Sequence, residues 1–172
     1  LTSFTEDMHS RGMAPGSRLL AAEETAAGAR LGQALSLSPA DKVLHIARVR
    51  TADGEPICLE HSYIPSRLAP GLLDQDLERS LYELLGETFR LRLEHADQTI
   101  TSTVVDPEQA ELLDVPPFSP AFNVERTGYD ARGRAIERAE SLYRADRYSY
   151  RVTLYRRQGH IRAAPERFDP TR

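Results

Sequence analysis

Two periodicities divide the chain. Residues 43–51 and 57–64 are apolar, β-branched-rich runs on either side of Ala52-Asp53-Gly54-Glu55, and Asp-Gly between such runs predicts a hairpin. Residues 17–25, 91–105, 121–129, 135–143 and 148–155 read as further strands, with 121–129 and 135–143 joined around Asp130-Ala131-Arg132-Gly133. Helical spacing appears instead over 76–89, where Leu77, Leu81, Leu84 and Leu85 fall on one stripe. Shorter helices are predicted behind a Thr2 or Ser3 cap with Glu6 placed for a capping box, over 29–35, and from Asp106-Pro107 to Leu113. Gly12, Pro15-Gly16, Ser38-Pro39 and Pro116-Pro117 punctuate these elements. Antiparallel strands with helices between them define an α+β fold. Gly54, Ile57 and Ser62 recur as Gly133, Ile136 and Ser141, a faint echo that would fit a duplicated half-domain. Residues after Gln158, rich in Pro and Arg, read as a tail.

Composition narrows the class. A chain of 172 residues suffices for one domain with a real core. A net charge of −4 lacks the basic footprint of a nucleic-acid reader. No apolar run reaches bilayer-spanning length and no signal segment opens the chain. Cys58 is the sole cysteine, so an intramolecular disulfide is impossible and a cytoplasmic location is expected. The chain starts at Leu1, inside what reads as a helix, so an upstream segment is expected. There is no phosphate-binding glycine loop, dinucleotide fingerprint or metal-spaced Cys/His cluster, and His9, His45, His61, His95 and His160 are scattered. Cys58, mid-strand, reads as a buried structural cysteine rather than a nucleophile. No enzyme class, cofactor or metal is implied.

The informative spot is Arg48-Val49-Arg50 on an otherwise apolar strand. Alternation sends both arginines to one face with Leu44 and Ile46. Two guanidiniums buried on such a face need an anion, either a bound phosphate or carboxylate or the partner strand's Glu60 and Glu55; the remaining alternative is that both face solvent. A strict two-residue turn at Asp53-Gly54 would pair Arg48 with Leu59, whereas a three-residue loop with a bulge would pair it with Glu60. Pro56, which cannot donate to a ladder, makes a distorted turn reasonable. Glu137, Ala139, Ser141 and Tyr143 likewise share one face.

Several blocks carry a resemblance: Leu1-Thr2-Ser3-Phe4-Thr5-Glu6-Asp7-Met8 with Arg11-Gly12-Met13 and Pro15-Gly16-Ser17; Arg48-Val49-Arg50; Glu60-His61-Ser62-Tyr63-Ile64-Pro65; and Glu137, Ser141 and Tyr143-Arg144 with Asp146-Arg147-Tyr148. From Leu1 to about Arg156 the chain resembles the UTRA effector-binding domain of HutC-type GntR-family transcription regulators, closest to the N-acetylglucosamine-utilisation repressors of the NagR and DasR kind. The resemblance implies a chorismate-lyase-like antiparallel sheet with flanking helices. It implies a UTRA effector-binding and dimerisation domain over 1–156, a tail over 157–172, a homodimer, and a winged helix-turn-helix DNA-binding domain N-terminal to the residues in this chain. DNA would be met only through that domain, and no membrane is involved. It further implies an amino-sugar phosphate effector, N-acetylglucosamine-6-phosphate or glucosamine-6-phosphate, and no catalysis. Carried over residue by residue, the phosphate would meet the backbone of Phe4 and Thr5, the guanidiniums of Arg48 and Arg50, and Ser80 and Tyr82 on the middle helix. Sugar hydroxyls and the amide would meet Glu60, Glu137 and Tyr143. On this basis Arg48→Ala is expected to abolish ligand response and leave the fold intact. The competing readings are a chorismate pyruvate-lyase of the same fold and a HutC-type regulator that senses another anionic metabolite.

Overall fold

The computed structural model describes residues 2–157 and 160–164. Six strands form one fully antiparallel sheet: β1 (Pro15–Ala26), β2 (Lys42–Ala52), β3 (Glu55–Pro65), β4 (His95–Val104), β5 (Pro120–Tyr129) and β6 (Ala135–Arg144), in the order β1-β2-β3-β6-β5-β4. Helices α1 (Phe4–Ser10), α2 (Gly28–Leu35), α3 (Leu81–Thr88) and α4 (Pro107–Leu113) flank it. The strand order is that of two halves, each running helix, strand, helix, strand, strand, joined where β3 pairs with β6. The Gly-Ile-Ser echo therefore falls on corresponding strands, and the halves meet at the pair His61 opposite Glu140.

Alternation on the strands sorts the core into two layers. On one face Leu44, Ile46, Ile64 and Ile136 pack under Leu81, Leu84 and Leu85 of α3, while Phe4 and Met8 of α1 cover Ala52, Ile57 and Cys58. On the other face Val49, Leu59 and Leu142 meet Ala110 and Leu113 of α4, and Val43 meets Leu31 and Leu35 of α2. The predicted capping box forms on α1, Ser3 with Glu6, and the Asp106 cap of α4 is completed as a second box by Gln109.

The hairpin resolves the register between the two alternatives. Asp53 and Gly54 both have positive φ, 52° and 84°, so the turn has two residues. A bulge between Arg50 and Thr51 then shifts the ladder, and Arg48 pairs with Glu60. Pro56 stands at that irregularity, where its missing N–H costs no ladder bond.

Three elements differ from the sequence reading. The helix predicted over 76–89 starts at Leu81, because the Asp76 carboxylate accepts from the Glu78 N–H (3.1 Å) and Ser80 caps the helix through the Glu83 N–H (3.4 Å). The strand predicted from residue 91 begins at His95. Leu91 is instead buried against α3, and its N–H closes the helix end by donating to the Leu85 carbonyl (2.9 Å). The strand predicted over 148–155 is replaced by a turn at Tyr148, whose N–H donates to the Arg144 carbonyl, and then by β7 (Thr153–Arg157). β7 pairs with β8 (His160–Ala164) in a separate two-stranded sheet, so the start of the predicted tail is a strand, and its remainder from 165 lies outside the described residues. Among the described residues no helix is long and apolar enough to cross a membrane.

Leu85 is fully buried at the centre of the layer under α3. Leu85→Ala is expected to cost about 2–5 kcal/mol, measured by urea unfolding. Asp106→Ala, which removes only a cap, is expected to cost about 1 kcal/mol in the same assay.

Candidate functional site

Where β2, β3 and β6 run side by side beneath α1 and α3, the sheet carries charge instead of apolar bulk. Arg48, Arg50, Glu60, Ser62 and Glu137 point from it into one cavity. The first turn of α1 closes one side with Ser3, Phe4 and Thr5, and the start of α3 closes the other with Ser80, Leu81 and Tyr82. With the side chains as they stand, the deep part leaves about 10 Å³ for the centre of a water-sized molecule. An outer chamber of about 190 Å³ adjoins it, shares Thr5, Arg50 and Ser80, and is lined further out by Pro15, Gly16, Glu78 and Glu83.

Within this site the two strand arginines are not equivalent. Arg48 is 1% exposed and its donors are engaged. Its Nε and Nη2 both go to Glu60 Oε1, and Nη1 donates to the carbonyls of Leu77 (2.9 Å) and Arg79 (3.0 Å). Those carbonyls would otherwise accept helical N–H groups, so Arg48 holds the 77–79 segment out of α3 and sets Ser80 at the cavity mouth. Arg50 is less satisfied. It reaches the Thr5 hydroxyl (3.3 Å), stands 3.6 Å from Glu60 Oε1 and stacks over the Phe4 ring, while its buried Nε has no protein partner. Burial lowers the pKa of Arg50, with the neighbouring Arg48 charge acting in the same sense and Glu60 against it.

The two carboxylates are driven apart. Burial alone would push the Glu60 carboxyl up, but the charges of Arg48 and Arg50 outweigh it and hold Glu60 at about 2. For Glu137 burial dominates and raises the pKa, with the charge of Arg126 opposing. Glu137 accepts from the Tyr82 hydroxyl (2.9 Å) and lies 3.5 Å from the Ser62 hydroxyl.

Of the residues expected from sequence, Phe4, Thr5, Arg48, Arg50, Glu60, Ser80, Tyr82 and Glu137 all line this cavity. Ser80 and Tyr82 stand at the cap and first turn of α3 rather than within a longer helix. Tyr143 is the exception. It stacks on Tyr148 with 4.1 Å between ring centroids and packs in the apolar cluster beneath α1, off the cavity wall. Cys58 is buried in the same cluster, its thiol pushed well up by burial, as expected of a structural cysteine. Sequence reasoning missed Arg126 on β5, which lines the deep end and lies over the Tyr82 ring at 5.3 Å. Alternation along β5 could have found it, since Val124, Arg126 and Gly128 share a face opposite Ser141, Ala139 and Glu137.

The family model for the UTRA domain matches residues 10–149, and the chain belongs to that family. It is 35% identical over 87% of its length to the HTH-type transcriptional repressor NagR of Bacillus subtilis, and 29% identical over 91% to the mannosyl-D-glycerate transport/metabolism system repressor MngR of Escherichia coli. The chain spans 62% and 65% of the length of those two curated relatives. The effector domain of PhnF from Mycobacterium smegmatis superposes with a TM-score of 0.85 at 31% identity, covering 90% of this chain and 95% of that one.

The bonding of Arg48 reverses the expectation that Arg48→Ala leaves the fold intact. Arg48→Met strands the buried Glu60 carboxylate and is expected to cost about 3–5 kcal/mol at neutral pH. The native Glu60 contribution is present above its ordinary value of 4.5 and is lost as pH falls towards about 2. The stranded carboxyl can protonate in acid, so urea titrations at pH 7 and pH 3 should show the difference between native and variant narrowing at pH 3.

Proposed function

We propose that this chain is the effector-sensing and dimerisation domain of a transcription repressor, and that its effector is an amino-sugar phosphate, N-acetylglucosamine-6-phosphate or glucosamine-6-phosphate. The observation that carries the reading is the convergence of an under-satisfied Arg50 with the hydroxyls of Thr5 and Ser80, next to the carboxylates Glu60 and Glu137. A phosphomonoester brings close to two negative charges and several strong acceptors, which a guanidinium and hydroxyl donors can satisfy. Carboxylates accept only, and suit the sugar's hydroxyl donors. The amino-sugar part of the reading rests on the resemblance to N-acetylglucosamine-utilisation repressors, and the relative named for mannosyl-D-glycerate supports a sugar that carries an acid. Catalysis has no part in it: the relatives are named repressors, and Cys58 is buried away from the cavity under α1.

Function then follows from the tightness of the cavity. The deep part holds little more than a water, so a sugar phosphate enters only if the first turns of α1 and α3 shift relative to the sheet. Each turn lies at the N-terminal side of its half, and α1 would lead back to an N-terminal winged helix-turn-helix domain. Ligand therefore favours one placement of α1 over another in a cytoplasmic homodimer, and the shift is limited by its difference in affinity for the two placements.

The test is a thermal-shift comparison of N-acetylglucosamine-6-phosphate, glucosamine-6-phosphate and unphosphorylated N-acetylglucosamine. A bound phosphate at about a hundred times its Kd should stabilise by about 2.7 kcal/mol, and the free sugar should have little effect. Arg50→Ala should remove the phosphate-dependent shift, read against the variant's own unliganded melting temperature. Stabilisation by the free sugar alone would overturn the reading.

A further inference from the structure

Arg126 is the cation of the site that the protein leaves without a hydrogen-bonded anion, although the charges of Glu137 and Glu60 both act on it. Its Nε is fully buried and has no hydrogen-bond partner, and its one close contact of note is the face of Tyr82. Other guanidiniums inside the molecule are engaged: Arg144 donates to Asp146 and to the Pro56 and Leu113 carbonyls, and Arg138 to Glu125 and Thr127. A buried cation with free donors is costly unless something supplies acceptors.

In the register of the repeat Arg126, opposite Ala139, takes the place of Arg48, opposite Glu60, but its aromatic contact parallels that of Arg50. Arg50 on β2 lies over Phe4, just past the Ser3 cap of α1, and Arg126 on the corresponding strand β5 lies over Tyr82, just past the Ser80 cap of α3. Each half of the molecule thus brings a strand arginine stacked on an aromatic of a capped helix to the same cavity, and the first half brings Arg48 as well. The two ends differ in what accompanies the arginine. Arg50 has the hydroxyl of Thr5, while Arg126 shares its end with the acceptor Glu137. Donors beside an acceptor match a group that is itself acceptor beside donor, namely an amide: its carbonyl takes Arg126 and its N–H gives to Glu137. A free ammonium would face the Arg126 charge, and a carboxylate would face Glu137.

We propose that Arg126 is a specificity-determining residue of this site, anchoring the carbonyl of an N-acyl amino group beside Glu137. The inference rests on the amino-sugar phosphate reading above. It is tested by calorimetric titration of native protein, Arg126→Met and Arg126→Lys with N-acetylglucosamine-6-phosphate, glucosamine-6-phosphate and glucose-6-phosphate. Native protein should bind the N-acetyl ligand most tightly. Arg126→Met should lose about tenfold or more for that ligand, the worth of one charge-assisted hydrogen bond, while glucosamine-6-phosphate is unchanged or tightened. Arg126→Lys should retain part of the preference. Because Arg126 also stacks on Tyr82, the readout is the ratio of affinities among the three ligands within each variant rather than its melting temperature. Equal weakening for all three ligands, an unchanged ratio, or a native preference for the free amine overturns the role of Arg126 alone. Failure of native protein to bind any of the three overturns the functional reading and this inference with it.

Discussion

Much of the site depends on one buried ion pair, Arg48 with Glu60. A guanidinium at 1% exposure is tolerable only with its charge matched and its donors used, and the chain meets both needs at once. The bulge beside Arg50 brings Glu60 opposite Arg48, where the two-residue turn alone would have brought Leu59. The remaining donors then reach across the layer to the Leu77 and Arg79 carbonyls. Sheet register, the late start of α3 and the seat of Ser80 are therefore linked: a change at any one would leave a buried charge or carbonyl unmatched elsewhere.

That pair also separates structure from recognition. Glu60 is held ionised by Arg48 and Arg50 together, so Arg50 shares an anion that Arg48 has largely claimed. What Arg50 lacks, a ligand can supply. The contrast with Glu137 matters, because burial favours its protonated form while its contacts with protein are hydroxyl groups rather than an ion pair. The cavity thus contains one carboxylate held in an ion pair and one held only by hydroxyl groups.

Short-range signals made most of this visible in the sequence. The hairpin at Asp53-Gly54, the capping box of α1, the Asp106 cap of α4 and the placement of Arg48 and Arg50 on one face follow from turn chemistry and period-two alternation, while the face of Glu60 depends on the bulge. What was missed depends on contacts between distant segments. The leucine stripe of 76–89 is genuine, but Arg48, nearly thirty positions earlier, withdraws two carbonyls from the helix it predicts. Leu91 has the character of a strand residue and is spent on closing α3. Tyr143 shares a face with Glu137, yet the stacking of Tyr148 and the apolar underside of α1 hold it in the core. Arg126 was legible in the alternation of β5, but β5 offers no second arginine to draw attention to it.

The two-half architecture bears on the shape of the ligand as well as on the fold. A junction between two similar halves presents two similar corners, each with a strand arginine over an aromatic ring at a capped helix start. Had the corners stayed alike, the cavity would suit a ligand with the same group at both ends. Glu60 and Glu137 break that likeness: Glu60 neutralises the arginines of β2, whereas Glu137, on β6, leaves the β5 arginine without a hydrogen bond. A molecule with a strong anion for one corner and a neutral amide for the other satisfies both in one orientation only. Orientation is what lets binding act on α1 and α3 differently, and a repressor domain that must move one end of its chain needs that asymmetry.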